Sequence, residues 1–171
     1  MNSARSKKVR SLPHQRRVRS LYRIGGARWY DPFRVLWTRL TSRAAEAELD
    51  QLLSESASEG CRVLDLGCGT GHNLGRLQRL GVPFGSYRGI DLTEAMLDIA
   101  REHHREEPRA TFAQADLHDL AKTADRFDLV LCTWVASHLE QPREVFEIAH
   151  RLLVPGGHAL FLTMTRPLSS R

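Results

Sequence analysis

Cysteine is scarce. Cys61, Cys68 and Cys132 are an odd number with no C-x-x-C pair among them, so neither a disulfide framework nor a zinc finger has its ligands. Such usage fits a reducing compartment. Long apolar runs are missing too: no stretch of 18 apolar residues occurs, which excludes a helix that spans a bilayer. The N-terminus lacks the apolar core of an export signal, and the expected location is cytoplasmic. Acidic residues are absent from residues 1–30, which hold nine Lys/Arg. The remainder carries 16 Lys/Arg against 20 Asp/Glu, a net of −4, so the overall +5 belongs to the N-terminal arm. Beyond that arm there is one lysine, Lys122.

What is present suits one domain of ordinary composition, with 171 residues, 42% of them apolar and 26% charged. Residues 1–28 read as a flexible basic arm. It can be a solvated tail, a surface for anionic lipid or nucleic acid, or an organellar transit peptide. Residues 29–57 read as N-terminal helices. Asp31-Pro32 is a helix start, with a capping acceptor and then proline at the first helical position. Phe33, Leu36, Trp37 and Leu40 recur at helical spacing, and Trp29 extends that face. A second helix is expected from Arg43 to Leu53, then a polar break over 54–60.

Residues 58–171 form the third unit, where the period changes. Strands are expected at Arg62–Leu66, Tyr87–Asp91, Ala110–Ala115, Phe127–Thr133 and His158–Thr165. Helical patterns over 72–80, from Thr93 to about Arg105, and from Pro142 to Leu153 separate them. Gly81 stops the first of these helices, and Pro155-Gly156-Gly157 reads as a turn. Strands alternating with helices mean βαβ units and a parallel sheet, an α/β doubly wound fold.

The chemistry centres on Val63-Leu64-Asp65-Leu66-Gly67-Cys68-Gly69-Thr70-Gly71. A strand runs into three alternate glycines and then into a helix. Glycines permit a tight turn and close approach of backbone to a ligand, and the helix N-terminus favours an acceptor-rich group. Asp91 ends the next strand, 20 residues after Gly71. A carboxylate there can accept both hydroxyls of a ribose. A ligand-free turn and a dinucleotide oxidoreductase compete with this reading. The oxidoreductase fingerprint is G-x-G-x-x-G, and here the third glycine comes one residue early.

Five segments stand in order and spacing: VLDLGCGTG (63–71), GIDLTEAML (89–97), AQADLHDL (113–120), FDLVLCTWVASHLEQP (127–142) and LLVPGGHALF (152–161). With these the chain resembles the class I S-adenosylmethionine-dependent methyltransferases over about residues 30–165, in particular the small-molecule branch with the quinone and phospholipid enzymes. The resemblance implies a Rossmann-like sheet ordered 3-2-1-4-5 and S-adenosylmethionine as cofactor. It implies that Gly67, Gly69 and Gly71 pass under the methionine part and that Asp65 engages the cofactor's amino group, directly or through water. Asp91 would bind the ribose and Leu92 would lie against the adenine. Asp116 would accept from the adenine amine, with Leu117 beside it. Cys132, Thr133 and Trp134 would sit nearest the transferred methyl. No metal is implied.

His138 follows the fourth strand at the mouth of the sheet and is the candidate general base; the bland alternative is a histidine that packs or caps. His103 and His104 read as solvated, and Cys68 and Cys132 as small apolar packing groups. A D/N-P-P-Y signature after the fourth strand, a Pro-Cys nucleophile and a Lys-Asp-Lys-Glu set are all absent. Nucleic acid is therefore disfavoured and a small-molecule acceptor expected. The basic arm leaves peripheral contact with an anionic membrane open.

The family's sheet has seven strands. Five are counted here, so the last two are expected to be missing, with strand 5 left as an edge open to self-association. A non-catalytic methyltransferase-like module that binds the cofactor or a partner is the second functional class.

Overall fold

The computed structural model describes residues 41–120, 123–136, 139 and 141–163. The expected basic arm, the helix from Asp31 to Leu40 with Trp29 and Tyr30, His138, and the end of the fifth strand at Met164 and Thr165 lie outside the described residues.

The described chain runs α1 (Arg43–Ser56), β1 (Arg62–Leu66), α2 (His72–Leu80), β2 (Ser86–Asp91), α3 (Glu94–His103) and β3 (Ala110–Gln114). The single turn α4 (Leu117–Leu120), β4 (Phe127–Thr133), α5 (Pro142–Leu152) and β5 (Leu153–Leu162) follow. The five strands form one sheet in the order β3-β2-β1-β4-β5, with every pair parallel. β1 and β4 take the centre because their side chains are apolar on both faces, as a covered parallel sheet requires. On one face Leu49 and Leu53 of α1 and Leu74 and Leu77 of α2 meet Val63, Tyr87, Leu129 and Leu131. On the other, Val145, Ile148, Ala149 and Leu152 of α5 meet Leu64, Leu66, Val130 and Cys132. The chain steps outward from β1 to β3, then returns past β1 to β4. The order therefore reverses between β1 and β4, the point at which open α/β sheets take their ligands, in a crevice outside the carboxyl ends of the strands.

The end of α1 and the start of β5 differ from expectation. α1 continues to Ser56 because its polar residues pair along the helix instead of breaking it. Gln51 Nε2 donates to Glu55 Oε1 at 2.8 Å, and the Ser54 hydroxyl donates to the Asp50 carbonyl at 3.0 Å. β5 starts at Leu153, not His158, because Pro155-Gly156-Gly157 does not end the strand. Phe127 pairs with Leu153 and Leu129 with His158, so the extra residues bulge out between two paired positions. Gly156 has φ +80°, and a Cβ on Gly157 would lie 2.9 Å from the Asp128 carbonyl oxygen. Among the described residues, no helix is long and apolar enough to cross a membrane.

Candidate functional site

The three glycines after β1 all have positive φ: Gly67 +74°, Gly69 +54° and Gly71 +82°. This conformation is natural for glycine and strained for other residues. The turn is tied to β2, since the Gly67 and Cys68 N–H groups both donate to the Ile90 carbonyl, at 2.7 and 3.0 Å. Space above the glycines is not equal. A Cβ on Gly67 would sit 2.2 Å from Val135 Cγ2, and one on Gly71 would sit 2.7 Å from the His104 ring. Among the described residues, a Cβ on Gly69 would meet nothing within 4 Å. Of the three, the middle glycine is the one the described residues leave uncovered.

Asp91 ends β2 beside it. One carboxylate oxygen accepts the Gly69 N–H at 3.0 Å and the other accepts the Thr93 N–H at 2.8 Å. Thr93 is the N-cap of α3, and its N–H turns back to Asp91. Burial raises the Asp91 pKa above the ordinary carboxylate value, against the opposing pull of those two N–H groups. The residue as a whole keeps some exposure. Leu92 and Gln114 lie alongside, with Gln114 Nε2 donating to the Leu92 carbonyl at 2.8 Å. Asp116 and Leu117 follow β3, which ends next to Asp91: the Ala115 N–H donates to the Asp91 carbonyl at 3.2 Å. Gly69, Asp91 and Leu92 thus lie together at the carboxyl ends of β1 and β2, while Asp116 and Leu117 beside them are nearly buried and Leu117 packs in the α5-side core.

Asp65 lies beneath the turn with no exposed surface. The Tyr87 hydroxyl donates to it at 2.5 Å, and Asn73 Nδ2 lies 3.1 Å from both of its oxygens. Asn73 also reaches Thr133 Oγ1 at 3.0 Å. Burial outweighs these donors and lifts the Asp65 pKa to about 6. Tyr87, itself buried against this carboxylate, is pushed well above its usual value and stays a donor. Asp65 therefore braces β1, β2 and α2 from below and does not line the opening. Cys132, 1% exposed, packs in the α5 face with its thiol pushed up to about 12. At the end of β4 it is Thr133 and Trp134 that retain exposure. Burial also holds the Cys68 thiol well above its usual value, so neither cysteine offers a thiolate.

One participant escapes local sequence reading. His104, expected to be solvated, is half-buried. Its Nε2 lies 3.0 Å from the Gly71 carbonyl, and its ring stacks on Phe112 at 6.0 Å between centroids. It closes the space over Gly71 from 33 residues away in sequence. The only hint in the sequence was its place just past the last apolar position of α3. Among the described residues, no cluster of His, Cys, Asp and Glu could hold a metal ion.

The family of methyltransferase domains matches residues 63–157, from the first residue of the glycine motif to the β5 bulge. The chain belongs to this family. The methyltransferase domain here is 36% identical over 110 residues to a ubiquinone biosynthesis O-methyltransferase of Alkalilimnicola ehrlichii, covering 63% of this chain and 43% of that protein. A protein of the same description from Nitrosococcus oceani is 35% identical over 120 residues, covering 69% and 50%. The chain thus spans half or less of the length of these curated relatives. Among solved structures, that of a DhpI–SAH complex superposes with a TM-score of 0.68 at 26% identity, covering 86% of this chain and 67% of that one. A SAM-dependent methyltransferase of Geobacter sulfurreducens in complex with S-adenosyl-L-homocysteine superposes at 0.55 with 25% identity, covering 67% and 47%.

Proposed function

We propose that this methyltransferase domain binds S-adenosylmethionine at the β1/β4 crevice and transfers its methyl group to a small-molecule acceptor. The observation that carries the reading is the open space over Gly69 next to the Asp91 carboxylate, while the faces of Gly67 and Gly71 are filled. A backbone platform with one glycine left uncovered by the described residues and a half-buried aspartate beside it fits a nucleoside with a chain lying across the turn. In this reading Asp91 accepts the ribose hydroxyls with the lone pairs its backbone donors leave free. Leu92 and Leu117 flank the adenine, and Asp116 accepts from its amine. Gly67, Gly69 and Gly71 run under the methionine part, and Asp65 holds that turn in shape from below. When bound, the cofactor supplies a methyl group already activated on a sulfonium. The protein's task is then to align an acceptor with that methyl and keep water out. His138 is the proposed general base for an acceptor whose proton must leave. The names of the relatives point to an oxygen acceptor.

Calorimetric titration tests the cofactor half. S-Adenosylhomocysteine should bind and NAD should not, and tighter NAD binding would sink the reading. Asp91→Ala should weaken S-adenosylhomocysteine by about 1–3 kcal/mol through lost charge-assisted bonds. Binding without turnover on any acceptor would favour a non-catalytic module.

Three further proposals concern surroundings. The basic arm makes peripheral contact with anionic lipid. β5, at the edge of the sheet that the described residues form, with Phe146 43% exposed over Phe161, supports self-association. The three buried free cysteines suit a cytoplasmic setting. Vesicle sedimentation and light scattering on the full chain and on one lacking residues 1–28 check the first two. Truncation should abolish binding to anionic vesicles and leave concentration-dependent association in place.

A further inference from the structure

Side chains alternate along β4. Leu129 and Leu131 pack against the α1/α2 side, whereas Val130 and Cys132 pack against α5. Thr133 follows the rule and meets Asn73 of α2. By the same parity Trp134 belongs on the α5 face. It goes the other way: its indole Nε1 donates to Glu46 Oε1 of α1 at 3.2 Å, across 88 residues of sequence. The backbone makes the switch. Trp134 is the one non-glycine residue with positive φ among the described residues, at 64°, and its N–H donates to the Leu162 carbonyl of β5 at 2.6 Å. A bulky residue stays in the left-handed region only where its surroundings over-determine it, and such residues gather at functional sites.

Glu46 is itself held. Arg76 of α2, 4% exposed, forms an ion pair with it and a second with Asp50 at 3.4 Å. Thr133, next to Trp134, is tied through Asn73 to Asp65 under the glycine turn. The indole is thus anchored at its N–H and still partly exposed at the carboxyl end of β4, on the border of the β1/β4 crevice.

We propose that Glu46 is a positioning residue for the acceptor side of the site. Braced by Arg76, it holds the Trp134 indole across the mouth of the crevice as a wall against which the methyl acceptor is seated. This rests on the S-adenosylmethionine reading above.

The test uses the full chain with Trp29→Phe and Trp37→Phe, so that emission reports Trp134. In this parent, acrylamide should quench weakly, and S-adenosylhomocysteine should change the emission. Glu46→Ala should shift emission to the red, raise the quenching constant about two- to fivefold and diminish the response to ligand. Glu46→Gln keeps an acceptor oxygen for the indole and should restore the parent's quenching. Should Glu46→Ala fold poorly because the buried Arg76 is left with Asp50 alone, the double variant Glu46→Ala/Arg76→Met, which removes that cation, should show the red shift and the raised quenching in its place. Quenching in Glu46→Ala and in the double variant equal to the parent's would overturn the proposal. So would a Trp134 signal indifferent to S-adenosylhomocysteine in a parent that calorimetry shows to bind it. Failure of the parent to bind the ligand at all would instead remove the cofactor reading, while the anchoring of Trp134 is still read from quenching alone.

Discussion

Asp65→Ala should cost the fold about 2–4 kcal/mol in denaturant unfolding at pH 5. The change leaves the buried Tyr87 hydroxyl without its acceptor and the Asn73 amide with Thr133 Oγ1 alone, and an orphaned buried group costs about 1–3 kcal/mol, with the loss of the second Asn73 bond added to it. Asp65 also makes stability depend on pH in an unusual direction. Its folded-state pKa lies near 6, above the ordinary 3.8, because burial penalises the ionised form. The folded protein therefore keeps a proton on this carboxyl where the unfolded chain has released it. The contribution is fully present below about pH 4 and is lost as pH rises through about 6, to a total of about 3 kcal/mol. Carboxylates paired at the surface, such as Asp128 with Arg62 and Glu107 with Arg109, are lowered instead and act in the opposite sense at lower pH. The comparison must therefore be differential. Asp65→Asn, which cannot ionise, should gain on wild type by up to about 3 kcal/mol between pH 4 and pH 6. Parallel stability curves for the two proteins would show that Asp65 does not titrate in this window.

Gly69→Val should reduce affinity for S-adenosylhomocysteine by about a hundredfold or more, ~2.7 kcal/mol. Two effects combine. A β-branched side chain at φ +54° is strained. It would also fill the one uncovered position on the turn, where the cofactor chain is proposed to lie. Gly69→Ala separates the two. Its methyl group meets no atom of the described residues within 4 Å, so stability should fall only as the left-handed backbone demands, about 1 kcal/mol. Its affinity should still drop by about tenfold. Affinity unchanged in Gly69→Ala would move the ligand away from the turn. Gly71→Ala makes a useful contrast, because its methyl group collides with His104 and the loss there is one of fold.

Much of the site was legible because its signals are local. The switch from helical to strand period after Gly60, the three alternate glycines and the acid closing the next strand lie within about 30 residues of one another. A strand that must be apolar on both faces announces itself over five to seven residues, as Arg62–Leu66 and Phe127–Thr133 do. The sheet order followed from the family resemblance and was found in the structure. Boundaries failed where a polar or breaking residue found a partner that local pattern does not show. Ser54 and Gln51 prolonged α1, and the bulge absorbed Pro155-Gly156-Gly157 into β5.

The sequence by itself determined the βαβ succession, the glycine turn with Asp91 beside it, and membership of the methyltransferase-domain family, since each rests on periodicity or on residues a few positions apart. Tertiary structure decided which glycine stays open, because Val135 and His104 arrive from distant elements to cover the other two. It decided that Asp65 is a buried brace and not a wall of the site, because Tyr87 from β2 and Asn73 from α2 converge on it. It also decided the side on which Trp134 stands. Alternation along β4 directs that residue to α5, and only the meeting of α1, α2 and β5 around it supplies the bonds that hold a strained backbone turned the other way.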